Sequence, residues 1–508
     1  MAKTALILTL LTGILPAFHP NVRVDHENRP SHACFHASIA LGPAGTGCQP
    51  VYVAFQDDSL VGIVTVRSDV LFQKSTDRGA TWLAQDLLIK RGADFACYPD
   101  VTVDRDGNVY IVYTERVPGG SNGHFYCVSS TDGGETWSSP AQVDDNVSPV
   151  SAGWARVAAD TAGSLFCAWN DKRTGRQRIW SSVSTDRGST WRDNVRVDDD
   201  TVPSDCFHAD VFVQPGTNHY LAVSSNPYWV RPGYINKDAA FTRSRDCGLT
   251  FEPCLALDTF SGYCGQPHVV ADEDHVICDY TGSVGGNQNS TEARTWFRSG
   301  DSWGPPVMVT PIDTSHSSYL NGGKLAIDPS GTVHTALMFT SILSYDYDIW
   351  YTASADHGLT WSERERVNDV TSGTQSDPDI AADDNGYAYV VWQDQRNSRN
   401  EIWFGTNANV GILASGLARP ERFRLDARPS LFSSALTIRL SGPLPASGTR
   451  LRVFDATGSM VREFENPGPA LAWDGRDGLG RQCPPGVYII RLESAGRTVT
   501  SGKVLKVE

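Results

Sequence analysis

The sequence predicts an all-β protein in which a seven-bladed β-propeller is followed by a small β-sandwich. Three observations support this. An eight-residue turn pattern occurs five times, short apolar strands recur in phase with it, and the periodicity stops well before the C-terminus. A fixed period of about this size indicates a repeat architecture in which each unit is one supersecondary element.

The turn pattern reads Ser, any residue, Asp, any residue, Gly, any residue, Thr, aromatic. Its copies begin at Ser75, Ser130, Ser184, Ser244 and Ser354, so the steps are 55, 54, 60 and 110 residues. Because the last step is two periods, a degenerate copy is expected near Asp301. Each copy is predicted to be a hairpin corner, in which the Asp accepts hydrogen bonds from turn amides and the Gly adopts a positive φ.

The repeating unit is clearest over residues 152–200, which contain four short strands. The first and second strands are joined by a tight Asp-x-x-Gly turn, and the third and fourth by the corner. First strands are expected to start near Phe35, Tyr98, Trp154, Phe207, Gln266, Asn321 and Pro378. The seventh unit lacks a fourth strand, and the isolated segment 22–24 can supply it. That pairing would close the ring and leave no open sheet edge.

The two ends of the chain are predicted to have other roles. Residues 1–17 have a positive start and a short apolar run, which is typical of a secretory signal peptide and too short to span a membrane. The propeller is assigned to residues 18–413 and a linker to residues 414–420. Residues 421–508 alternate apolar and polar side chains between turns, as in a small sandwich.

Charge and cysteine content narrow the choice of partners. The net charge of −15 argues against nucleic acid, because phosphate binding depends on clustered Lys and Arg. Eleven cysteines in an exported chain suggest disulfides, and Cys247 and Cys254 could bridge one hairpin. Bridges or buried thiols explain Cys34-x-His36 and Cys206-x-His208 better than a metal site does. We therefore expect neither a metal nor a cofactor.

The five corners resemble the Asp-box, or BNR, repeat of sialidase-like propellers over roughly residues 20–410. The resemblance implies a scaffold that is found in glycoside hydrolases and in non-catalytic proteins. The tail resembles Ig-like domains related to the flagellar hook-capping protein and the C-terminal sorting domains of bacterial type IX secretion. The matching segments are 453–458, 473–477, 486–488 and 503–507. This implies that bacterial secretion machinery is a partner and that the protein is secreted or attached to the cell surface.

The functional site is expected on the face opposite the corners, where second-to-third-strand connections and first-strand starts meet. The connections supply Asp57, Glu115, Arg116, Asp171, Arg173, Asp394 and Arg396. The first-strand starts supply His36, Asp100, Arg156, His208, His268 and Asp379. The fourth unit adds Tyr228, Trp229, Arg231 and Tyr234, whose rings could stack on sugar faces or pack between blades. The repeated Trp-x-Asp-x-Arg phrase is equally readable as a structural salt bridge.

A sialidase requires arginines for the sugar carboxylate, an acid/base Asp, and a Tyr nucleophile assisted by a Glu. The resemblance therefore makes candidates of Arg156, Arg173 and Arg396, of Asp57 or Asp171, of Tyr345 or Tyr347, and of Glu115. The proposed substrate-binding residues are His36, Asp100, His208, Tyr228, Trp229, Arg231, His268 and Asp394. The Phe/Tyr-Arg-Ile-Pro motif is absent, and sialidases have six blades. The expectation is a carbohydrate-active protein on extracellular glycan, with a non-catalytic propeller that binds glycan or protein as the alternative.

Overall fold

The computed structural model divides the 508-residue chain into two compact units, Met1–Gly411 and Ile412–Glu508. It describes residues 18, 20–26, 31–43, 49–61, 64–92, 95–117, 120–199, 205–217, 219–231, 234–257, 264–284, 288–309, 324–340, 346–408, 424–428, 431–441, 449–455, 459–465, 467–468, 470–494 and 497–507. The predicted signal peptide and linker lie outside these residues. Both units are built from strands, and no helix among the described residues is long and apolar enough to cross a membrane.

The first unit of the chain begins with a short strand and then repeats an antiparallel sheet. The short strand is β1 (Val22–Arg23). Repeat 1 contains β2 (His32–Leu41), β3 (Val51–Val61), β4 (Val64–Ser75) and β5 (Leu87–Arg91). Repeat 2 contains β6 (Phe95–Val103), β7 (Val109–Arg116), β8 (Asn122–Ser130) and β9 (Ala141–Gln142). Repeat 3 contains β10 (Val150–Ala159), β11 (Leu165–Asp171), β12 (Arg178–Ser184) and β13 (Val195–Arg196).

The later repeats keep this order with small variations. Repeat 4 contains β14 (Phe207–Val213), β15 (Tyr220–Arg231), β16 (Tyr234–Ser244) and β17 (Leu255–Ala256). Repeat 5 contains β18 (Cys264–Ala271), β19 (His275–Val284) and β20 (Gln288–Phe297), and both β21 (Ser302–Trp303) and β22 (Val307–Met308) pair with β20. Repeat 6 contains β23 (Leu325–Ile327), β24 (Val333–Thr340), β25 (Tyr347–Ser354) and β26 (Glu365–Arg366). Repeat 7 contains β27 (Gln375–Ala382), β28 (Ala388–Asp394) and β29 (Glu401–Thr406).

The N-terminal strand β1 completes repeat 7. Val22 pairs with Phe404 and Arg23 with Trp403, antiparallel, as the sequence predicts. The Asp that follows the strand fixes it further, because the backbone N–H of Ile402 donates to Asp25 at 2.7 Å. Asp198 accepts from Ile179 in the same way in repeat 3, at 2.8 Å. The recurrent Val-Asp phrase is therefore the fourth strand of a repeat together with its anchoring carboxylate.

The repeats form a closed ring through their first strands. β2 contacts β6, β6 contacts β10, and the series continues through β14, β18, β23 and β27. The last of these, β27, contacts β2. The apolar clusters follow the same order, and one of them joins Val53 and Phe55 of repeat 1 to Val391 and Phe404 of repeat 7.

The five corners have the same hydrogen bonding, which explains their sequence pattern. At Ser184, the hydroxyl donates to Asp186 at 2.8 Å and accepts the N–H of Gly188 at 2.8 Å. The N–H and hydroxyl of Thr190 both donate to Asp186, at 2.8 and 2.6 Å. Desolvation by the neighbouring turn acts to raise the pKa of the Asp186 carboxyl, but the hydrogen bonds from Thr190 and Ser184 outweigh it and lower the pKa. The expected degenerate copy is a 3-10 turn, Arg298–Gly300, followed by Asp301 with φ 43°.

Each corner also joins its repeat to the preceding one. The Trp82 ring lies 5.3 Å from Phe404, and the Trp137 ring lies 5.1 Å from Phe72. The corner glycine permits this approach, because a β-carbon on Gly79 would overlap the Phe404 ring. Gly79 also has φ 87°, which other residues rarely adopt.

The expectation of disulfides is wrong for the described cysteines. None of the nine cysteines whose side chains are described, Cys247 and Cys254 among them, forms a disulfide. Cys34, Cys97 and Cys206 lie at similar positions in different repeats and are all buried. Cys34 and Cys206 pack in two separate apolar clusters, so they do not face each other. Burial raises the pKa of the Cys97 thiol to about 12, which keeps it protonated and unreactive.

The second unit of the chain consists of two sheets around one core. The strands are β30 (Arg424–Arg428), β31 (Leu431–Phe432), β32 (Leu436–Ser441), β33 (Thr449–Asp455), β34 (Met460–Glu465), β35 (Ala470–Trp473), β36 (Gly486–Ser494) and β37 (Arg497–Lys506). One sheet has the order β30-β32-β35 and the other β31-β37-β36-β33-β34. Ile438 and Trp473 of the first sheet share a buried cluster with Leu451 and Ile490 of the second, so the two sheets pack face to face.

We predict that Gly79→Ala lowers the free energy of unfolding of the ring by about 2 kcal/mol or more, because it combines left-handed strain with overlap onto Phe404. The matched control is Gly175→Ala, since Gly175 has the same φ of 87° and nothing within 4 Å of its would-be β-carbon. In urea unfolding, the control should lose only about 1 kcal/mol of its free energy of unfolding. Equal losses would contradict the role assigned to the contact between repeats.

Candidate functional site

The first strands share a bulge that turns side chains toward the centre of the ring. Register shifts occur between Phe35 and Ser38, between Cys97 and Asp100, and at the equivalent points of β10, β14, β18 and β27. Five residues at this bulge have left-handed backbones with φ between 46° and 55°: His36, Tyr98, His208, Gln266 and Asp377. A left-handed backbone at residues other than glycine is strained, and such strain clusters at functional sites.

Two layers of side chains surround the resulting cavity of about 120 Å³. We call the outer layer the mouth ring: His36, Tyr98, Trp154, His208, Gln266 and Asp377. The inner layer is the inner ring. It consists of the residues two positions after the mouth-ring residues, together with Lys324, which directly precedes β23: Ser38, Asp100, Arg156, Asp210, His268, Lys324 and Asp379. Every repeat therefore contributes one side chain to the inner ring.

The mouth ring is mainly aromatic on one side. The His36 ring lies 4.9 Å from Tyr98 and 5.8 Å from Trp154, and Trp154 lies 5.0 Å from His208. All four side chains are half-buried, so they can still contact a ligand. Burial, assisted by Arg156, lowers the pKa of His36 and favours its neutral form. The wall thus offers ring faces and neutral polar atoms.

Lys324 and two carboxylates dominate the inner ring. The Lys324 Nζ lies 3.1 Å from Asp100 and 2.8 Å from Asp379, and Arg156 lies 3.4 Å from Asp100. Burial alone would raise the pKa of Asp100, but Lys324 and Arg156 outweigh it and hold the pKa below its ordinary value. Burial alone would lower the pKa of Lys324, yet the surrounding carboxylates raise it. Asp100 and Lys324 are therefore both ionised at neutral pH.

Hydrogen bonds from the inner ring also reach the next first strand. The N–H of Val157 donates to Asp100 at 2.9 Å, and the N–H of Ile39 donates to Asp379 at 3.0 Å. Asp210 accepts from Val269 at 3.1 Å. These carboxylates consequently hold neighbouring repeats together, and two of them, Asp210 and Asp379, also line the cavity.

Asp210 and His268 differ from the paired groups. Burial raises the pKa of Asp210, and His268, Lys324 and Arg156 offset this only in part. His268 Nδ1 lies 3.0 Å from Asp279, whose buried carboxyl group also has a raised pKa. A carboxyl group with a raised pKa beside an oriented imidazole is an arrangement suited to proton transfer.

The repeated Trp-x-Asp-x-Arg phrases form structural ion pairs, which was the alternative interpretation from the sequence. Asp171 and Asp394 are fully buried. Asp171 accepts from Trp169 Nε1 at 2.9 Å and lies 2.7 Å from Arg173. Arg173 also stacks on Trp180 at 4.4 Å. Repeat 7 has the same arrangement, with Arg396 2.8 Å from Asp394 and 3.7 Å from the Trp403 ring.

The remaining predicted residues lie away from the cavity or outside the part of the chain that the structure describes. Asp57 is buried against His32 at 2.8 Å, and Glu115 pairs with Lys90 at 2.9 Å. Tyr347 packs against the apolar cluster of repeat 6. The side chains of Tyr228, Trp229, Arg231 and Tyr234, and the whole of Tyr345, are outside the described residues. The three candidate arginines are thus not brought together, because only Arg156 among them lines the cavity.

His36, Asp100, Arg156, His208 and His268 lie at first-strand starts, as the sequence predicts, but six polar or aromatic residues that line the cavity were not predicted as site residues. These are Tyr98, Trp154, Asp210, Gln266, Lys324 and Asp377. The repeat phase could have identified them, because Asp100, Arg156, Asp210, His268, Lys324 and Asp379 follow one another at steps of 54 to 58 residues.

Comparison with known proteins supports the repeat. A family model described as a BNR repeat-like domain matches residues 36–205. No curated protein matches. A Dyadobacter fermentans protein of unknown function is 15% identical, with 77% of this chain and 99% of that chain covered and a TM-score of 0.49.

Two further structures are similar at lower identity or coverage. A PL25 ulvan lyase is 12% identical, with 77% of this chain and 98% of that chain covered and a TM-score of 0.48. The Hadza microbial sialidase Hz136 is 19% identical, with 50% and 51% covered and a TM-score of 0.36. At these sequence identities and TM-scores, the similarity does not indicate a substrate or a reaction for this protein.

We predict that Lys324→Met destabilises the ring by about 3–5 kcal/mol at pH 7, because two buried carboxylates lose their partner. Since the folded-state pKa of Asp100 is depressed, its stabilisation is present above its ordinary pKa of 3.8 and is lost as the pH falls through the lower folded value. The difference from wild type should therefore shrink below about pH 4.

Thermal unfolding between pH 3 and 8 measures this effect. Lys90→Met is the control, because its half-buried pair with Glu115 should contribute at most about 1 kcal/mol. If Lys324→Met is nearly as stable as wild type at pH 7, or if its loss of stability does not change with pH, then Lys324 does not stabilise the ring through its ion pairs with Asp100 and Asp379.

Proposed function

We propose that this protein is a carbohydrate-active seven-bladed propeller of the sialidase-like type that binds a glycan unit at the mouth ring. The observation that carries the proposal is the aromatic wall of Tyr98, Trp154 and two histidines above a charged, hydrogen-bonding floor. Sugar rings present apolar C–H faces and polar edges, which match ring faces and fixed polar groups. The BNR repeat-like match supports the scaffold.

The charges and ion pairs of the inner ring favour glycan binding over sialidase-type cleavage. The inner ring contains three carboxylates, Lys324, Arg156 and His268, and the mouth ring adds Asp377. Arg156 is the one arginine that lines the cavity among the described residues, and it is paired with Asp100. A sugar carboxylate would meet neither a free arginine cluster nor a net positive field. The preferred ligand is therefore an uncharged sugar.

One observation favours a hydrolase as the second candidate function. Asp210 has a raised pKa while Asp100, in the same ring, has a lowered one. Glycosidases use two carboxyl groups whose environments separate their pKa values in this way, one as acid and the other ionised. Asp210 would then act as the general acid, in place of the Asp57 or Asp171 that the sequence suggested.

The ends of the chain complete the proposal. Residues 1–17 would direct export, and residues 421–508 would act as an Ig-like sorting or attachment domain for bacterial secretion machinery. The two sheets of the second unit, with their shared core, are compatible with that role. The protein would then meet its glycan outside the cell.

The binding proposal predicts that Trp154→Ala weakens glycan binding at least about tenfold, which corresponds to about 1.4 kcal/mol of lost ring contact. A glycan array identifies the ligand, and titration calorimetry measures the loss. Trp191→Ala, at a corner, is the control and should leave affinity unchanged. An array without binding, or equal affinity of both variants, would refute the proposal.

The hydrolase candidate predicts that Asp210→Asn lowers turnover of a fluorogenic glycoside by about 100-fold or more, because the proton donor is lost. Affinity for the same glycan should persist in the variant. A panel of neutral glycosides that wild type leaves intact, together with normal glycan binding, would exclude the hydrolase and retain the binder.

A further inference from the structure

A cluster of two histidines and one aspartate lies at the junction of repeats 5 and 6. Asp272 lies in the turn between β18 and β19, His275 is the first residue of β19, and His357 belongs to the corner after β25. One potential ligand atom from each residue lies within 4.8 Å of the other two. The corners lie on the opposite face from the mouth ring by strand topology, so this cluster is separate from the glycan site.

One ring nitrogen of each histidine contacts the Asp272 carboxylate. His275 Nδ1 lies 3.0 Å from Asp272 Oδ1, and His357 Nε2 lies 2.9 Å from Asp272 Oδ2. The two imidazole rings stack at a centroid distance of 3.9 Å. Small outward shifts of these three groups would place a cation between two nitrogens and an oxygen without changing the backbone.

Another junction shows what a simple ionic contact between repeats looks like. The corner of repeat 3 has Arg187 at the position of His357, and Arg187 pairs with Asp106 of repeat 2 at 3.0 Å. That pair joins the repeats through opposite charges alone. At the junction of repeats 5 and 6, the corner residue is a histidine and the adjoining turn adds a second histidine, so the contact becomes a metal-binding donor set.

The chemistry of this set matches zinc. Zn²⁺ binds imidazole nitrogen and carboxylate oxygen, and it commonly uses three protein ligands with water in the fourth position. The three side chains are between 23% and 28% exposed, which lets an ion enter and leaves room for that water. Harder cations such as Mg²⁺ prefer sites made of oxygen ligands.

We propose that Asp272, His275 and His357 form a zinc site that joins repeat 5 to repeat 6. The site departs from the sequence expectation of no metal, because His357 lies 82 positions after His275 and the three residues form no metal-binding motif. The site lies across two repeats, so a bound ion would tie a turn of one repeat to a corner of the other. Zinc bound there should stabilise the folded ring.

The test uses the full chain after chelator treatment and dialysis. Titration calorimetry with ZnCl₂ near neutral pH should give one ion per chain, and thermal unfolding should shift upward with zinc. His357→Gln and Asp272→Asn should each weaken binding more than about 100-fold, beyond the 10–100-fold typical of residues that only support a ligand. Co²⁺ absorption provides an independent signature, because a low-coordinate site with nitrogen ligands gives intense visible bands.

The matched control is His219→Gln. His219 lies just before β15, as His275 lies at the start of β19, but its ring pairs with Gln214 at 3.0 Å. This variant should bind zinc like wild type. Absence of binding by wild type, or binding that survives both His357→Gln and Asp272→Asn, would overturn the proposal and leave the cluster as a hydrogen-bonded ion pair.

Discussion

Lys324 connects three repeats that are not all neighbours in the ring. It belongs to repeat 6, and its ammonium group lies 2.8 Å from Asp379 of repeat 7 and 3.1 Å from Asp100 of repeat 2. A buried ion pair of this kind is costly to break, because removing one partner leaves an uncompensated charge. The inner ring therefore ties the structure across its centre, whereas the first-strand contacts tie it only from one neighbour to the next.

The corners and the inner ring perform different tasks at the two faces. At the corners, an aromatic residue and a glycine let each repeat pack closely on the preceding one, as Trp82 and Gly79 do against Phe404. At the centre, carboxylates hold the next first strand by its backbone amides. With both anchors in place, residues such as His36 and Tyr98 can keep strained left-handed backbones and present their rings to the cavity.

The sequence predicted the scaffold better than the site, for a physical reason. Turn chemistry and strand pairing are local, so the corners and the pairing of β1 with β29 followed from pattern and phase. Side-chain pairing is not local. From the sequence, Asp171 and Arg173 could be site residues or a structural salt bridge, and only their contacts with Trp169 and Trp180 show that they form the salt bridge. Lys324 has no motif around it and becomes central only when repeats 2, 6 and 7 meet. The same limit explains the disulfide error, since cysteines in equivalent positions of a ring point into separate clusters.

The charge of the cavity bears more directly on function than the resemblance to sialidases does. A propeller can present many kinds of site on one scaffold, so the corners establish architecture and leave the ligand open. The inner ring sets two basic groups and one histidine against three carboxylates, and both basic groups are already engaged. An anionic sugar would have to break those pairs before it gained any of its own. A neutral sugar needs only ring faces and hydrogen-bonding groups, which Trp154, Tyr98 and the neutral His36 provide without disturbing the contacts that hold the ring closed.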